Sequence, residues 1–277
     1  MAATTDPAEP PTGDSVWYFA YGSNMRSSVM ANRGMTPLDK ALVKIPTHVL
    51  TFDIFGMPFS EPSMASIAPM SQVTTDTVLR LGPPAELPPI HGIAYLITRA
   101  DYVALVKSEG GGSAYREIAI EADVLRHDDA TAGHSIGSTL TVYTLEAKYP
   151  FRPNATPSQR YLGLLMTGAE EHDLPKDYKD FLADIKAFEP PSSLWTRVGA
   201  STFLSFWKPT LRMLVKVMKS NSDANGHCRP WISNLVIKGY SYMWVYHNMI
   251  HSFVWGRGDG RIRGSMPWEV VVKQKAL

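Results

Sequence analysis

Two stretches of this chain hold residue types that could do chemistry together. The first is Tyr21-Gly22-Ser23-Asn24-Met25, which follows the apolar run Val16-Trp17-Tyr18-Phe19-Ala20-Tyr21. That run predicts a buried strand ending in a tight turn. A Gly-Ser-Asn turn can aim several backbone N–H groups at one point, and such a nest binds a carboxylate or phosphate, or stabilises an oxyanion. The same residues are equally read as an ordinary strand-ending turn. The second stretch is Lys107-Ser108-Glu109-Gly110-Gly111. Glu109 falls at the C-terminal end of a predicted helix, where the helix dipole favours Lys, Arg or His over an anion. A carboxylate buried at such a place is less acidic than in water, which suits a general base working near neutrality. An exposed glutamate on a fraying helix end would do nothing.

The elements that must position these groups are legible in outline. Residues 91–98 predict a strand, and Arg99 to Lys107 a helix with Leu105 and Val106 inward, closed by Gly110-Gly111-Gly112. Residues 116–124 alternate, with Ile118, Ile120, Ala122 and Val124 on one face. Residues 138–146 alternate again, Leu140, Val142 and Thr144 against Thr141, Tyr143 and Leu145. Thr156-Pro157-Ser158-Gln159 predicts a helix start, with Thr156 capping, Pro157 in the first helical position and Gln159 completing a capping box. A second helix is expected from near Pro175, with Tyr178, Phe181, Leu182, Ile185 and Phe188 on its apolar side, stopped by Pro190-Pro191. Short strands followed by paired helices predict an α+β or closed-barrel domain over 15–189.

The rest of the chain differs in character. Residues 1–189 carry 15 Lys+Arg against 23 Asp+Glu, a net of −8, whereas residues 190–277 carry 12 against 3, a net of +9. Six of the seven tryptophans lie after residue 189. This split predicts a catalytic unit at 15–189 and a basic, aromatic-rich extension at 190–277, preceded by a mobile Pro/Ala/Thr-rich tail at 1–14. A net charge of +1 gives no global case for nucleic-acid binding. A single cysteine, Cys228, and a start without a basic or apolar leader predict a reducing, cytoplasmic location.

Other candidate groups have plainer readings. His247 and His251 are four apart and could share a helix face as metal ligands, yet they lack an evident third ligand and read better as core or interface histidines. His227-Cys228 reads as a loop with a structural thiol, and Asp128-Asp129 as a solvated turn.

Three features together are similar to γ-glutamyl cyclotransferases: the run YFAYGSNM at 18–25, Glu109 before glycine with Tyr115 opening a strand, and PSQRYLGLLMTGAEEHDLPKDYKDFLADIKAF at 157–188. Their order and spacing match from about 16 to 189. The length and C-terminal region further resemble the fungal members found in biosynthesis of gliotoxin-type, sulfur-bridged diketopiperazines. The resemblance implies a small β-barrel with flanking helices, no metal and no cofactor. It implies that the α-amine of a γ-glutamyl group attacks its own γ-amide carbonyl, releasing 5-oxoproline and an amine. It places Glu109 as the catalytic acid/base, the Tyr21, Gly22, Ser23 and Asn24 turn on the substrate carboxylate or oxyanion, and Tyr143 and Tyr161 as pocket tyrosines. The expected partner is a small γ-glutamyl compound, glutathione or a glutathione-conjugated secondary metabolite. A non-catalytic module holding an acidic ligand on the same fold is the alternative.

The extension has three readings. Its aromatics pack on the barrel beneath a solvated basic face; it roofs the pocket for a bulky thioether; or the predicted 203–219 helix, with Lys208, Arg212, Lys216 and Lys219 opposite Phe203, Phe206, Leu211, Leu214 and Met218, contacts a membrane surface peripherally. Residues 235–255 are apolar but carry Lys238, His247 and His251, which fits a buried or interfacial helix rather than a membrane span.

Overall fold

The alternating runs close on themselves. In the structure, a computed structural model describing residues 13–73, 87–127, 136–151 and 154–260, five strands form a closed barrel. They are β1 (Ser15–Ala20), β2 (Asp39–Ile45), β5 (Ile90–Thr98), β6 (Tyr115–His127) and β7 (Thr139–Ala147), in the order β1-β5-β2-β6-β7. Neighbours are antiparallel except where β1 meets β7 in parallel, with Tyr18 opposite Tyr143. Closure removes the unpaired edges that short strands would otherwise expose. A separate hairpin, β3 (His48–Met57) and β4 (Glu61–Pro69), packs beside the barrel, where the Ala147 amide donates to Ser66 Oγ at 2.8 Å. The N-terminal tail (residues 1–12) and Asp128-Asp129 lie outside the described residues.

The helices sit where the apolar spacing predicts them. After β1 comes a 3₁₀ turn at Ser23–Met25, then the short helix α1 (Ser27–Asn32). Helix α2 (Arg99–Ser108) is capped by Thr98, whose side chain accepts from the Asp101 amide, and buries Tyr102, Leu105 and Val106. Helices α3 (Gln159–Glu171) and α4 (Lys176–Asp184) cover the barrel end. Two expectations need correction. The cap of α3 is Ser158, accepting from the Tyr161 amide at 3.0 Å, because Thr156 is engaged by the Asp259 carbonyl at 3.1 Å from its amide. Helix α4 ends at Asp184, well before Pro190, and Ile185 and Phe188 are buried in the chain beyond it.

The extension folds as α5 (Leu194–Ser220), α6 (Pro230–Tyr246), a π-helical turn (His247–His251) and α7 (Ser252–Trp255). Helix α5 starts well before residue 203 and keeps going through Pro209. Phe203, Leu211 and Met218 are buried as expected, but Phe206 is 62% exposed. The helices grip the tip of the β3–β4 hairpin: Trp244 Nε1 donates to the Gly56 carbonyl at 3.0 Å, and Phe59 packs on Phe203, His247 and His251. Both histidines are thus core residues; His247 accepts from the Gly258 amide at 3.3 Å. Among the described residues, no cluster of three His, Cys, Asp or Glu could hold a metal.

Helix α3 approaches the turn after β1 so closely that only glycine fits at 168. A Cβ there would lie 2.8 Å from Met25 Cβ and 3.0 Å from the Arg26 amide nitrogen. Gly168→Ala should therefore destabilise the fold by about 1–3 kcal/mol, the usual cost of overpacking, read as a lower urea midpoint with unchanged slope.

Candidate active site

Two tyrosines opposite each other on β1 and β5 hold the turn that follows β1. Tyr18 and Tyr95 are register partners and so share a face of the barrel. The Tyr95 hydroxyl donates to the Met25 carbonyl at 2.7 Å, with His172 Nε2 2.9 Å from the same oxygen. The Tyr18 hydroxyl accepts from Asn24 Nδ2 at 3.0 Å. The second N–H of that amide reaches Glu109 Oε1 at 3.1 Å, across 85 residues of sequence. Both donors of Asn24 therefore go to orienting its neighbours. Its own Oδ1 is buried and lacks a hydrogen-bond partner among the described residues.

Glu109 is the residue after the last turn of α2, and its amide still bonds to the Leu105 carbonyl at 2.9 Å. The anion is not left alone against the helix dipole. Arg33, just past α1, places a guanidinium nitrogen 2.6 Å from Glu109 Oε1 and also donates to Ser108 Oγ. The partner of Glu109 comes from a segment far upstream in the chain, which carries no local signal of the pairing.

These groups face a cavity of about 30 Å³, lined by Tyr18, Gly22, Asn24, Glu109, Tyr115 and Tyr161 together with Tyr21, Ser23, Ala65 and Leu145. Such a volume holds little more than one water, so a larger guest must extend out of its mouth or shift the lining. Tyr161 lies beside Gly22 and accepts from the Ala65 amide at 3.2 Å; the Tyr115 hydroxyl donates to the Ala65 carbonyl at 3.0 Å. Tyr21 donates to the Leu145 carbonyl. Burial pushes the hydroxyls of Tyr18, Tyr21, Tyr115 and Tyr161 well above the usual phenol range, and the charge of Glu109 adds to this. They remain neutral phenols at any working pH. Among the described residues, Glu109 is the one carboxylate in the lining, and no histidine, cysteine or lysine joins it there.

Of the residues expected from sequence, Tyr21, Gly22, Ser23, Asn24, Glu109 and Tyr161 converge on this cleft. Tyr143 does not. It sits two positions before Leu145 on the same strand face, and its ring packs edge-on against Tyr102, 6.1 Å between centroids. Sequence reasoning does not single out Tyr18, Arg33, Ala65 or Tyr115 as site residues. Tyr18 and Tyr115 lie inside recognisable motifs; Arg33 and Ala65 arrive by tertiary contact alone.

Over 249 residues the chain is 49% identical to gamma-glutamyl cyclotransferase gliK of Aspergillus fumigatus, a match covering 89% of this chain and 90% of that one. The chain belongs to the γ-glutamyl cyclotransferase family. Gamma-glutamyl cyclotransferase aclK of Aspergillus oryzae is 37% identical over 267 residues, 93% of this chain and 95% of that one. A solved structure named gamma-glutamyl cyclotransferase superposes with a TM-score of 0.46 at 17% identity, over 81% of this chain and 99% of that one. Residues 193–254 match the family described as AclK C-terminal domain.

This second region lies behind the cleft without lining it. No described residue beyond 189 lines the cavity. Instead the loop between α5 and α6 braces the glycines after Glu109. The Cys228 amide donates to the Gly111 carbonyl at 2.9 Å, and Met218 lies against Gly110 and Ser113. Gly226, at φ +84°, comes so near α2 that a Cβ would sit 2.6 Å from the Val103 carbonyl. Cys228 is buried there, as a structural thiol should be. His227 Nε2 lies 2.6 Å from Glu117 Oε1, while the other oxygen of Glu117 accepts from Tyr102 at 2.8 Å.

Two predictions test this geometry. Tyr161→Phe should lower turnover by roughly tenfold, the loss of about one hydrogen bond's worth of binding in the transition state, whereas Tyr143→Phe should leave kcat/KM within about twofold; steady-state kinetics on both variants decides. The hydrogen bond to Glu117 raises the His227 pKa above its usual value. Its contribution to stability is complete below the unfolded-state pKa of about 6.5 and is lost as pH rises through the raised folded value. The Tm gap between wild type and His227→Gln should therefore be widest in mild acid and close in alkali, and thermal melts across that range check it.

Proposed function

We propose that this protein cleaves γ-glutamyl compounds by intramolecular aminolysis, with Glu109 moving the proton. One observation carries the reading: among the described residues the cleft holds a single carboxylate, tied through Asn24 to the Gly-Ser-Asn turn, among tyrosines kept neutral by burial. The turn's backbone donors take the substrate α-carboxylate, and Tyr161 hydrogen-bonds the γ-glutamyl group. The α-ammonium gives a proton to Glu109, and the freed amine attacks the γ-amide carbonyl carbon. A C–N bond forms, closing a five-membered ring. The tetrahedral intermediate collapses as the old amide C–N bond breaks and Glu109 returns its proton to the departing nitrogen; Glu109 then carries the second proton from the ring nitrogen to the released amine, which leaves as an ammonium. The products are 5-oxoproline and the amine, and water is not consumed.

Nucleophile and electrophile belong to one molecule, so holding them in attack geometry supplies much of the rate, up to about 7–11 kcal/mol for ideal alignment. Arg33 steadies the carboxylate that must accept the proton and fixes its direction through Ser108. The small cavity accommodates reacting atoms rather than a whole conjugate, which leaves the amine half of the substrate at the mouth. Glutathione and bulky glutathione thioethers both satisfy that arrangement. The resemblance of the length and C-terminal region to fungal members of gliotoxin-type diketopiperazine biosynthesis supports a glutathione-conjugated secondary metabolite as the substrate.

Glu109→Gln keeps the shape and the Asn24 contact but cannot accept a proton. It should lower 5-oxoproline release by about 10²–10⁴-fold with an unchanged circular dichroism spectrum. Near-normal turnover would remove Glu109 from the mechanism. Mass spectrometry of products from a panel of γ-glutamyl thioethers identifies the preferred leaving group, and binding without any 5-oxoproline would instead mark a ligand-holding module.

A further inference from the structure

The outer side of the extension carries an apolar surface that neither the barrel nor the extension's own core covers. On α5, Trp195, Val198, Phe206, Met213 and Val217 recur at spacings that keep them on one side, and all are exposed, Met213 at 64%. On α6 and the turn after it, Trp231, Leu235, Tyr242, Val245 and Met249 form a second row at spacings of three, four or seven, with Trp231 at 63% and Tyr242 at 67% exposure. Beside the first row, Phe206 joins Thr202, Phe203, Trp207 and Tyr246 in lining an apolar cavity of about 310 Å³. Soluble chains scatter such side chains singly; contiguous rows mark a contact surface.

The same surface is cationic. Lys208, Arg212, Lys216 and Lys219 run along α5 one position off the apolar row, and Lys238 interrupts the row on α6. All five are exposed, and none makes an ion pair among the described residues. Residues 190–260 contain two acids: Asp259, paired with Arg257, and Asp223, which accepts from the Asn225 and His227 amides. Nothing among the described residues of this face neutralises the row.

We propose that this face of α5 and α6 docks the protein on an anionic lipid surface. Apolar and aromatic rows flanked by lysine and arginine are the pattern of helices that lie in the membrane interface, with rings at headgroup depth and cations reaching the phosphates. A second copy of the chain fits worse, because a symmetric pair would bring two uncompensated basic rows together. No helix among the described residues is long and apolar enough to cross a membrane, so the contact is peripheral. None of these residues lines the cleft. The inference stands apart from the cyclotransferase reading and can fail without it.

The test uses the full chain and sedimentation with two kinds of vesicle, phosphatidylcholine alone and phosphatidylcholine mixed with phosphatidylserine. The wild type should bind the anionic vesicles at least roughly tenfold more tightly and be released at about 1 M salt, where the Debye length is about 3 Å. Charge reversal (Lys208→Glu, Arg212→Glu, Lys216→Glu) should cost roughly tenfold or more in binding. Phe206→Ser with Met213→Ser should weaken binding while leaving 5-oxoproline release and the circular dichroism spectrum unchanged. The proposal is overturned if the wild type ignores anionic vesicles at low salt, or if the charge-reversed protein binds as well as wild type. It also falls if ultracentrifugation finds a dimer that Trp231→Ser and Tyr242→Ser dissolve, which would assign the face to a second copy.

Discussion

The Asn24 side chain is the joint of this molecule. One amide nitrogen carries two hydrogens, and they go to two groups that sequence holds far apart: the Tyr18 hydroxyl inside the barrel and the Glu109 carboxylate at the end of α2. That arrangement requires β1 to stop where it does, the 3₁₀ turn to follow at once, and α2 to end within reach. Each requirement is met by a separate local device. Met25 is held by Tyr95 and His172, α3 presses against the turn through Gly168, and α2 passes into a run of left-handed glycines. The buried Oδ1 of Asn24, left without a partner among the described residues, is a cost that a folded chain seldom carries without a use.

Electrostatics divides the labour around that joint. Burial keeps four phenols neutral, so they serve as fixed hydrogen-bonding walls. The carboxylate in the cleft wall is held by Arg33. The C-terminal helices add a mechanical element. Through Met218, Gly226, His227 and Cys228 they brace the loop behind Glu109, and through Trp244 and Phe59 they grip the hairpin whose Ala65 lines the cleft. They influence the site from behind without bordering it.

Much of this is legible residue by residue. The strand before the turn, the strands of β5, β6 and β7, and helices α2 and α4 follow from apolar spacing, because burial of one face imposes a period that depends on local geometry alone. Glu109 can be placed beside glycines, but its environment cannot. The details that differ share one cause. Thr156 and Ser158 are both competent caps, and the choice between them is made by Asp259, about a hundred residues away. Tyr143 and Tyr161 are both tyrosines on the right elements; strand register sets the first on Tyr102, while the second reaches the cleft from α3. Phe206 belongs to an amphipathic helix, yet which flank of that helix faces inward depends on where Phe59 and Trp244 pack.

By itself, then, the amino-acid order determined most of the elements, the turn chemistry and the acidic-to-basic division along the chain. These are short-range properties, set by backbone preferences, side-chain period and charge. Only the tertiary structure decided which side chains meet: Arg33 on Glu109, Ala65 between two tyrosines, the α5–α6 loop behind the glycines that follow Glu109, and an apolar, cationic face left uncovered. Contacts of that kind rest on the closure of the barrel, where the energy of each pair depends on many distant residues being in place at once.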